Sequence, residues 1–419
     1  MIAMNKKYDL IVVGGGFAGV CAAMEAARHG KDVLLVDKYN CLGGTAQGGL
    51  VLPFMPYSTR EEGNDRPLTG DLFLEIVDGL AQLGGLGKNR KCFDEEILKL
   101  VLQRMCLKYG VNLLFNTTVV GAEVENGKVL SVSAWGKSKA LTLTADNYID
   151  ATGDAELSVL AGAGYQLGRE EDQLCQPMTL SFRVGGVDIP TARAHRQELN
   201  EKYLQWQAQG KITNPRENVL LFSTCHDTVY HFNTTRVVRL DPTDPVQVTQ
   251  AEIIAREQVF EIMALLKEIP GYEKAFLQST ALQIGIRESR MVEGLYKLTV
   301  EDLKGLARFP DAIAVANYDI DIHNPEGTGT SHYYFAPGDW YEIPYRCLVP
   351  KGFTNMLVAG RCISSTHEAQ ASYRIMPYCA ELGQSAGAAV AVAMDAGSTL
   401  PDVDIKKVQT ILRSEKFMI

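Results

Sequence analysis

The feature that most narrows what this chain can fold into lies in its first forty residues. Residues 10–13, Leu-Ile-Val-Val, form a continuous apolar run, the pattern of a strand covered on both faces. Gly14-Gly15-Gly16-Phe17-Ala18-Gly19 follows at once and fits G-x-G-x-x-G. An alanine-rich helical stretch over 20–29 comes next and is closed by Gly30. A second apolar strand, 33–36, then ends at Asp37. Strand, glycine turn, helix, strand and acid in this order describe a βαβ unit built to hold a dinucleotide. Gly14 permits the tight turn, Gly16 lets the backbone approach a diphosphate, and Gly19 lets the helix sit close on the strand. The helix N-terminus presents free N–H groups and its positive dipole end to the phosphates. Asp37 suits ribose hydroxyls and would repel a 2′-phosphate. The unit alone leaves FAD and NAD open.

Three later blocks bear on that choice. Leu42-Gly43-Gly44-Thr45-Ala46 is a second glycine pair that lets the chain pass close to a ligand. Residues 140–149 have strand character and end in Ala151-Thr152-Gly153-Asp154, with small residues where backbone approaches a ligand. Residues 355–359 are a strand ending at Gly360-Arg361, and Pro377 opens an Ala/Gly-rich helix running to about Ala396. Taken with the first unit, these blocks resemble the FAD-dependent oxidoreductases of the glutathione-reductase-like flavoprotein superfamily. The closer similarity is to the branch with an inserted substrate domain. The resemblance implies an α/β fold: a Rossmann-like FAD-binding domain with a β-meander plus an inserted α+β substrate domain. It implies FAD as cofactor, held by Gly14, Gly16, Phe17, Ala18, Gly19, Asp37, Lys38, Gly43, Gly44, Thr45, Ala46, Val119, Ala151, Thr152, Gly153, Asp154, Gly360, Arg361, Met376 and Tyr378. It also implies that the helix opened by Pro377 points its N-terminus at the flavin.

The expected organisation follows the blocks. Residues 1–155 and 346–419 form the discontinuous FAD-binding domain, and 156–345 the substrate domain. Asp94-Glu95-Glu96 starts a helix over 94–109. Strands at 112–115, 119–124 and 129–134 make a meander, with Asn126-Gly127 as a hairpin turn. In the substrate domain, 176–187 and 219–240 read as strands. Thr249-x-x-Glu252 reads as the capping box of a helix that Pro270-Gly271 stops. Two stretches, 51–70 and 324–342, read as irregular covers. Aromatics of the second, Tyr333 to Tyr341, either wall the site or pack in the core.

Absences narrow the chemistry. Redox cysteines do not follow Gly-Gly-Thr, where Ala46 and Gln47 stand, so dithiol chemistry is not expected. No His lies between 30 and 194, so flavin attachment through His near these glycines is not expected either, and FAD is expected to bind non-covalently. No second strand-linked G-x-G-x-x-G appears, which argues against a dedicated NAD(P)H domain. Nine cysteines without Cys-x-x-Cys or metal-like spacing read as reduced thiols, and no metal is expected. With 41 basic against 50 acidic residues the net charge is −9, which disfavours nucleic acid as a partner. The short polar start lacks a signal h-region and no long apolar window exists, so a cytoplasmic protein without a membrane partner is expected.

Chemistry would then rest on the flavin, with protein side chains orienting the substrate and handling protons. His367, just before the last long helix, is the candidate for proton transfer. Arg290 and Arg374 are candidates for orienting an anionic or planar group. The expected activity is hydride transfer between flavin and a small organic molecule, with an electron acceptor or donor and an oligomeric state that stay open. Redox-neutral chemistry of a hydratase or lyase, and tRNA modification by a flavoprotein, are the alternatives.

Overall fold

A computed structural model describes residues 6–61 and 64–419. Strand β1 (Lys7–Val13), helix α1 (Phe17–Arg28) and strand β2 (Val33–Val36) form the expected βαβ unit, with β1 and β2 parallel and Val13 opposite Val36. Helix α2 (Glu95–Lys108) starts at Asp94, whose carboxylate accepts the N–H groups of Glu96 and Ile97. Strand β3 (Asn112–Leu114) joins β2 in parallel. The meander is β4 (Thr118–Glu125), β5 (Lys128–Gly136) and β6 (Lys139–Asp150). Asn126 and Gly127 both have positive φ, +49° and +75°, as their two-residue hairpin requires. Strand β6 has two jobs. Its first half pairs antiparallel with β5, and from Thr144 onward it runs parallel to β1. One sheet therefore carries both the nucleotide unit and the meander, in the order β3-β2-β1-β6-β5-β4.

The inserted unit is a four-stranded antiparallel sheet of β7 (Phe182–Gly185), β8 (Leu221–Ser223), β9 (Tyr230–Phe232) and, beyond helix α3 (Pro245–Leu266), β10 (Phe276–Thr280). These strands are shorter than the expected 176–187 and 219–240. Helix α3 begins four residues before the expected capping box. Asp244 caps it, Pro245 sits in its first turn, and the Thr249 hydroxyl bonds back to the Pro245 carbonyl from inside the helix. Glu252 accepts the backbone N–H of Ile284 instead, tying α3 to the chain after β10.

Strands β11 (Ala312–Ala316) and β14 (Tyr341–Pro344) pair antiparallel, with the hairpin β12 (Ile320–His323) and β13 (Thr330–Tyr333) between them in sequence. The chain returns to the main sheet through β15 (Met356–Val358), parallel to β6. Helix α4 (Met376–Ala396) and helix α5 (Ile405–Ser414) close it.

Residues 156–345 do not share one core. A separate apolar core runs from Met178 to Ile284, whereas Val292, Leu298, Ile313, Val315 and Tyr341 join the core of the nucleotide domain. The reason is β11, whose five residues are all buried, packed against α4 of the nucleotide domain. The stretch 51–70 holds a hairpin of Ser58–Glu61 and Asn64–Pro67, and Glu62 and Gly63 lie outside the described residues. All nine cysteines are unpaired. Among the described residues no helix is long and apolar enough to cross a membrane.

Two contacts anchor α1. Along one side, α4 crosses it at backbone distance. A Cβ on Gly383 would stand 2.0 Å from the Ala18 carbonyl oxygen, and one on Gly387 2.4 Å from that of Ala22. At its end, Arg28 and His29 form a buried-edge network with Glu25, Asp71 and Glu415. Arg28 reaches Asp71 at 3.0 Å and Glu415 at 2.7 Å, and His29 Nε2 reaches Glu25 at 2.9 Å and Glu415 at 3.5 Å. Gln384 of α4 donates to Asp71 and Glu415. Hydrogen bonds to Glu25 and Glu415 push the His29 pKa up from 6.5 to about 9.

Gly387→Val should lower stability by about 1–3 kcal/mol or more, because overpacking against backbone cannot be relieved by a rotamer change. An unchanged denaturation midpoint would contradict the crossing described. Because folding raises the His29 pKa, its contribution is complete below pH 6.5 and is lost as pH rises through about 9. Thermal melts across that window should show a fall that the His29→Gln variant lacks.

Candidate active site: a nucleotide cleft opening on a second cavity

The three motif glycines play different parts. Gly14 has φ +103°, and a Cβ there would lie 2.5 Å from the Ala151 carbonyl oxygen at the end of β6. A Cβ on Gly19 would meet the Gly14 carbonyl oxygen at 1.8 Å. Packing demands glycine at both. Gly16 is otherwise: its φ is −71°, and the nearest atom to an added Cβ is Gly44 Cα at 3.8 Å. What its missing side chain leaves is open space above the cleft. Helix α1 starts there with no side-chain cap and no acid in its first turn, so its leading N–H groups face that space.

Asp37, at the end of β2, is buried, and burial pushes its pKa up. Its carboxylate accepts the Gly15 N–H and, at 2.8 Å, the Tyr39 N–H, so it clamps the turn as well as facing the cleft. Asp150 at the end of β6 shapes the facing turn by accepting four hydrogen bonds, from the N–H and hydroxyl groups of Thr152 and Ser158. Asp154 then meets Arg361 at 2.6 Å and takes the Ser289 hydroxyl at 2.6 Å. Burial opposes ionisation of Asp154, but the Arg361 guanidinium beside it holds its pKa below the usual carboxylate range.

Seventeen of the twenty residues expected to hold the cofactor line one cleft: Gly14, Gly16, Phe17, Ala18, Asp37, Lys38, Gly43, Gly44, Thr45, Val119, Ala151, Thr152, Gly153, Asp154, Gly360, Arg361 and Met376. Three do not. Gly19 is sealed against Gly14. Ala46 is buried in the short helix Thr45–Gly48. Tyr378 is buried and its hydroxyl donates to Asn317 Oδ1 at 2.9 Å. The cleft also takes Tyr39, Thr117, Thr118, Gln283, Arg374 and Cys379. Thr117 and Thr118 begin the meander and carried no motif. Gln283 comes from the inserted unit, where the Tyr39 hydroxyl donates to it across the domain boundary. Burial pushes the Cys379 thiol up to about 12.

The cleft runs into a second cavity of about 420 Å³, and Thr45, Arg361, Arg374 and Met376 line both. Met376 opens α4, whose N-terminus also lacks a side-chain cap and a first-turn acid. The second cavity has an apolar side, with Leu52, Met55, Leu220 and Phe222, and a polar side, with Arg216, Arg287, Tyr318, Asp321 and His323. The Tyr318 hydroxyl donates to Asp321 Oδ2 at 3.2 Å, and His323 Nε2 faces the same oxygen at 3.5 Å. Arg236 donates to His323 Nδ1 at 3.2 Å, which leaves the ring proton on Nε2. Burial and the charge of Arg287 push the His323 pKa down to about 3, so the ring is neutral near pH 7. Burial and the neighbouring Asp321 push the Tyr318 pKa up, keeping its phenol protonated. Burial opposes ionisation of Asp321 too, but hydrogen bonding from His323 and the charge of Arg374 hold its pKa below the usual range.

Of the three candidate catalytic residues, only Arg374 reaches this region. His367 is turned away: it pairs at 2.7 Å with Glu288, buried beneath it, and lines a depression on the outer side of the β12–β13 hairpin. Arg287 and Glu288 are adjacent in the chain, yet Arg287 lines the cavity and Glu288 does not. Arg290 donates to the Asp154 carbonyl oxygen at 3.1 Å and stacks over Tyr165, so it supports the cleft wall without lining it. Tyr333, Tyr334, Phe335, Trp340 and Tyr341 do not line the cavity, and Tyr341 is in the core. Tyr318, Asp321 and His323 went unnoticed in the sequence because their spacing matches no motif.

Comparison with known proteins identifies the family. The family model described as FAD dependent oxidoreductase matches residues 9–412. A digeranylgeranylglycerophospholipid reductase of Methanocella arvoryzae is 29% identical over 210 residues, 45% of this chain and 52% of that protein. A vinyl phenol reductase of Lactiplantibacillus plantarum is 49% identical over 45 residues, 11% of this chain and 9% of that protein. The chain spans about half the length, or less, of these curated relatives. A geranylgeranyl bacteriochlorophyll reductase-like protein of Thermoplasma acidophilum aligns over 98% of this chain and 84% of its own, at 12% identity and a TM-score of 0.47. With the family model spanning nearly every described residue, the chain belongs to the FAD-dependent oxidoreductase family, whose cofactor is FAD.

Proposed function

We propose that this enzyme binds FAD non-covalently along the nucleotide cleft and exchanges a hydride with a small organic molecule held in the adjoining cavity. The observation that carries the reading is continuity: the cleft and the cavity share Thr45, Arg361, Arg374 and Met376. A volume of about 420 Å³ suits a small organic ligand.

The residues present fit the cofactor. Gly16 keeps space that no protein atom needs, and the uncapped N-terminus of α1 offers N–H groups to a diphosphate there. Asp37 faces the cleft from the position of a ribose acceptor. The uncapped N-terminus of α4 at the junction supplies positive potential where a flavin ring would accumulate negative charge. Cys379, the cysteine lining the cleft, is held as a thiol and is a poor nucleophile for covalent attachment. Bound flavin supplies the two-electron chemistry, accepting or donating the hydride.

The chain's own residues then orient the substrate and move its proton. Arg374 stands at the junction and can hold an acceptor atom of the substrate. Tyr318 Oη carries a proton that it shares with Asp321 Oδ2, and it is the group best placed to exchange that proton with substrate. Neutral His323, with its proton on Nε2, keeps Asp321 ionised and so sets the orientation of the phenol. The names of the relatives, both reductases, support electron transfer as the activity.

Gly16→Val should abolish FAD binding while leaving the fold intact, since neither φ nor a neighbour opposes a side chain there. Equal FAD affinity in that variant, read by fluorescence titration, would remove the diphosphate from this turn. Anaerobic stopped-flow mixing with candidate reductants should bleach the flavin, and Tyr318→Phe should slow that step by roughly 10²–10⁴-fold with FAD still bound. Substrate turnover without any flavin bleaching would overturn the redox reading.

A further inference from the structure

The polar side of the cavity carries more positive charge than its own acids neutralise. Arg361 is matched by Asp154, and Arg236, just behind the wall, reaches Glu217 at 3.3 Å. Asp319 is taken up by His332 at 2.6 Å. That leaves Arg216, Arg287 and Arg374 facing Asp321, whose nearest approach is to Arg374 at 3.9 Å. Arg216 and Arg287 have no ion-pair partner among the described residues. Arg216 is only 5% exposed; its Nε donates to Asn218 Oδ1 at 3.3 Å, and its Nη1 has no hydrogen-bond partner. Arg287 donates only to neutral oxygens, those of Pro177 at 2.7 Å, Thr179 at 2.6 Å and Asn233 at 3.0 Å.

Such an arrangement is costly without a ligand. Buried charges in proteins are ordinarily paired. Burial, and then the positive charges of Arg374, Arg216 and Arg236, push the Arg287 pKa well below its usual range. A guanidinium does not give up its proton in a protein, so the strain persists as repulsion that an anion would relieve. Paired guanidiniums suit a planar carboxylate, which can accept two parallel N–H bonds. The apolar side of the same cavity, with Leu52, Met55 and Phe222, asks for a hydrocarbon body on that anion.

We infer that the cavity takes a small organic acid, its carboxylate between Arg216 and Arg287 and its apolar body against Leu52, Met55 and Phe222. The inference rests on the reading of this cavity as the substrate site. It narrows the substrate class to carboxylates and makes Arg216 and Arg287 the residues that select for it.

The test uses the FAD-loaded protein with benzoate as probe, its neutral counterpart benzamide, and inorganic phosphate. Binding is read by calorimetry and by the shift of the flavin's visible spectrum. Benzoate should bind about ten- to a hundredfold more tightly than benzamide, as expected for hydrogen bonds to a charged acceptor. Arg216→Gln and Arg287→Gln should each lose that preference, and Arg216→Lys should keep part of it. The comparison of probes on the unmodified enzyme stands even if a variant fails to fold. Equal affinity for benzoate and benzamide, tighter binding of phosphate than of benzoate, or no binding of benzoate at all would each overturn the inference. Fast flavin reduction by a neutral donor, undiminished in Arg216→Gln, would overturn it while leaving the redox reading intact. Arginine-dependent benzoate binding to an enzyme whose flavin no organic acid ever reduces would support the acid site and overturn the redox reading instead.

Discussion

The close crossing of α4 over α1 is the contact on which the rest of the molecule depends. Each helix brings a bare N-terminus to the same region, one at the glycine turn and one at the junction with the second cavity. Their spacing is set by backbone touching backbone, through Gly383 against Ala18 and Gly387 against Ala22. A one-methyl increase at either glycine would move the second N-terminus away from the first. Two helix ends that come from opposite ends of the chain are thus held as one electrostatic surface. The network of Arg28, His29, Asp71, Gln384 and Glu415 locks the same pair of helices from the other end.

Charge is handled in two contrasting ways on either side of the junction. In the cleft the acids of the wall have partners: Asp154 has Arg361 and Ser289, and Asp37 has two backbone N–H groups. These groups shape the walls and are held by partners within the protein, with Arg361 Nε left without a hydrogen bond. In the second cavity the balance is left open, with guanidiniums held by neutral oxygens and one nitrogen of Arg216 without a partner. A fully satisfied network specifies a structure, whereas an unsatisfied one is tolerated where a ligand completes it. The contrast separates a cleft whose acids are paired from a cavity whose guanidiniums are not.

The inserted unit contributes differently from what its length suggests. Its own core ends near Ile284, and the segment after it threads back under α4 through β11. The cavity is consequently walled from several places: loop residues 51–55, the inserted unit, the β12–β13 segment that belongs to the nucleotide domain's core, and Thr45, Arg361, Arg374 and Met376 at the junction with the cleft. Neighbouring residues on one extended segment serve opposite faces, so Arg287 looks into the cavity while Glu288 is committed to His367 outside it.

Local chemistry was enough to reveal the nucleotide half. A glycine turn, an uncapped helix and an acid at a strand end are short-range features, and each is set by sterics or dipoles within a few residues, so their meaning survives without a fold. The meander and its Asn126-Gly127 turn were readable for the same reason, since two positive φ values in sequence demand those residues. The second half was not. Tyr318, Asp321, His323 and Arg216 acquire their roles from burial and from one another, over long stretches of chain, and no spacing announces it. For His367 the converse holds: nearness in sequence to the last helix says nothing about which side of a β-hairpin its ring faces. The sequence alone determined where a dinucleotide can lie, because that depends on backbone shape. Only the tertiary structure decided what can lie beside it, because the pKa of a buried group and the pairing of a charge are set by whatever the fold brings near.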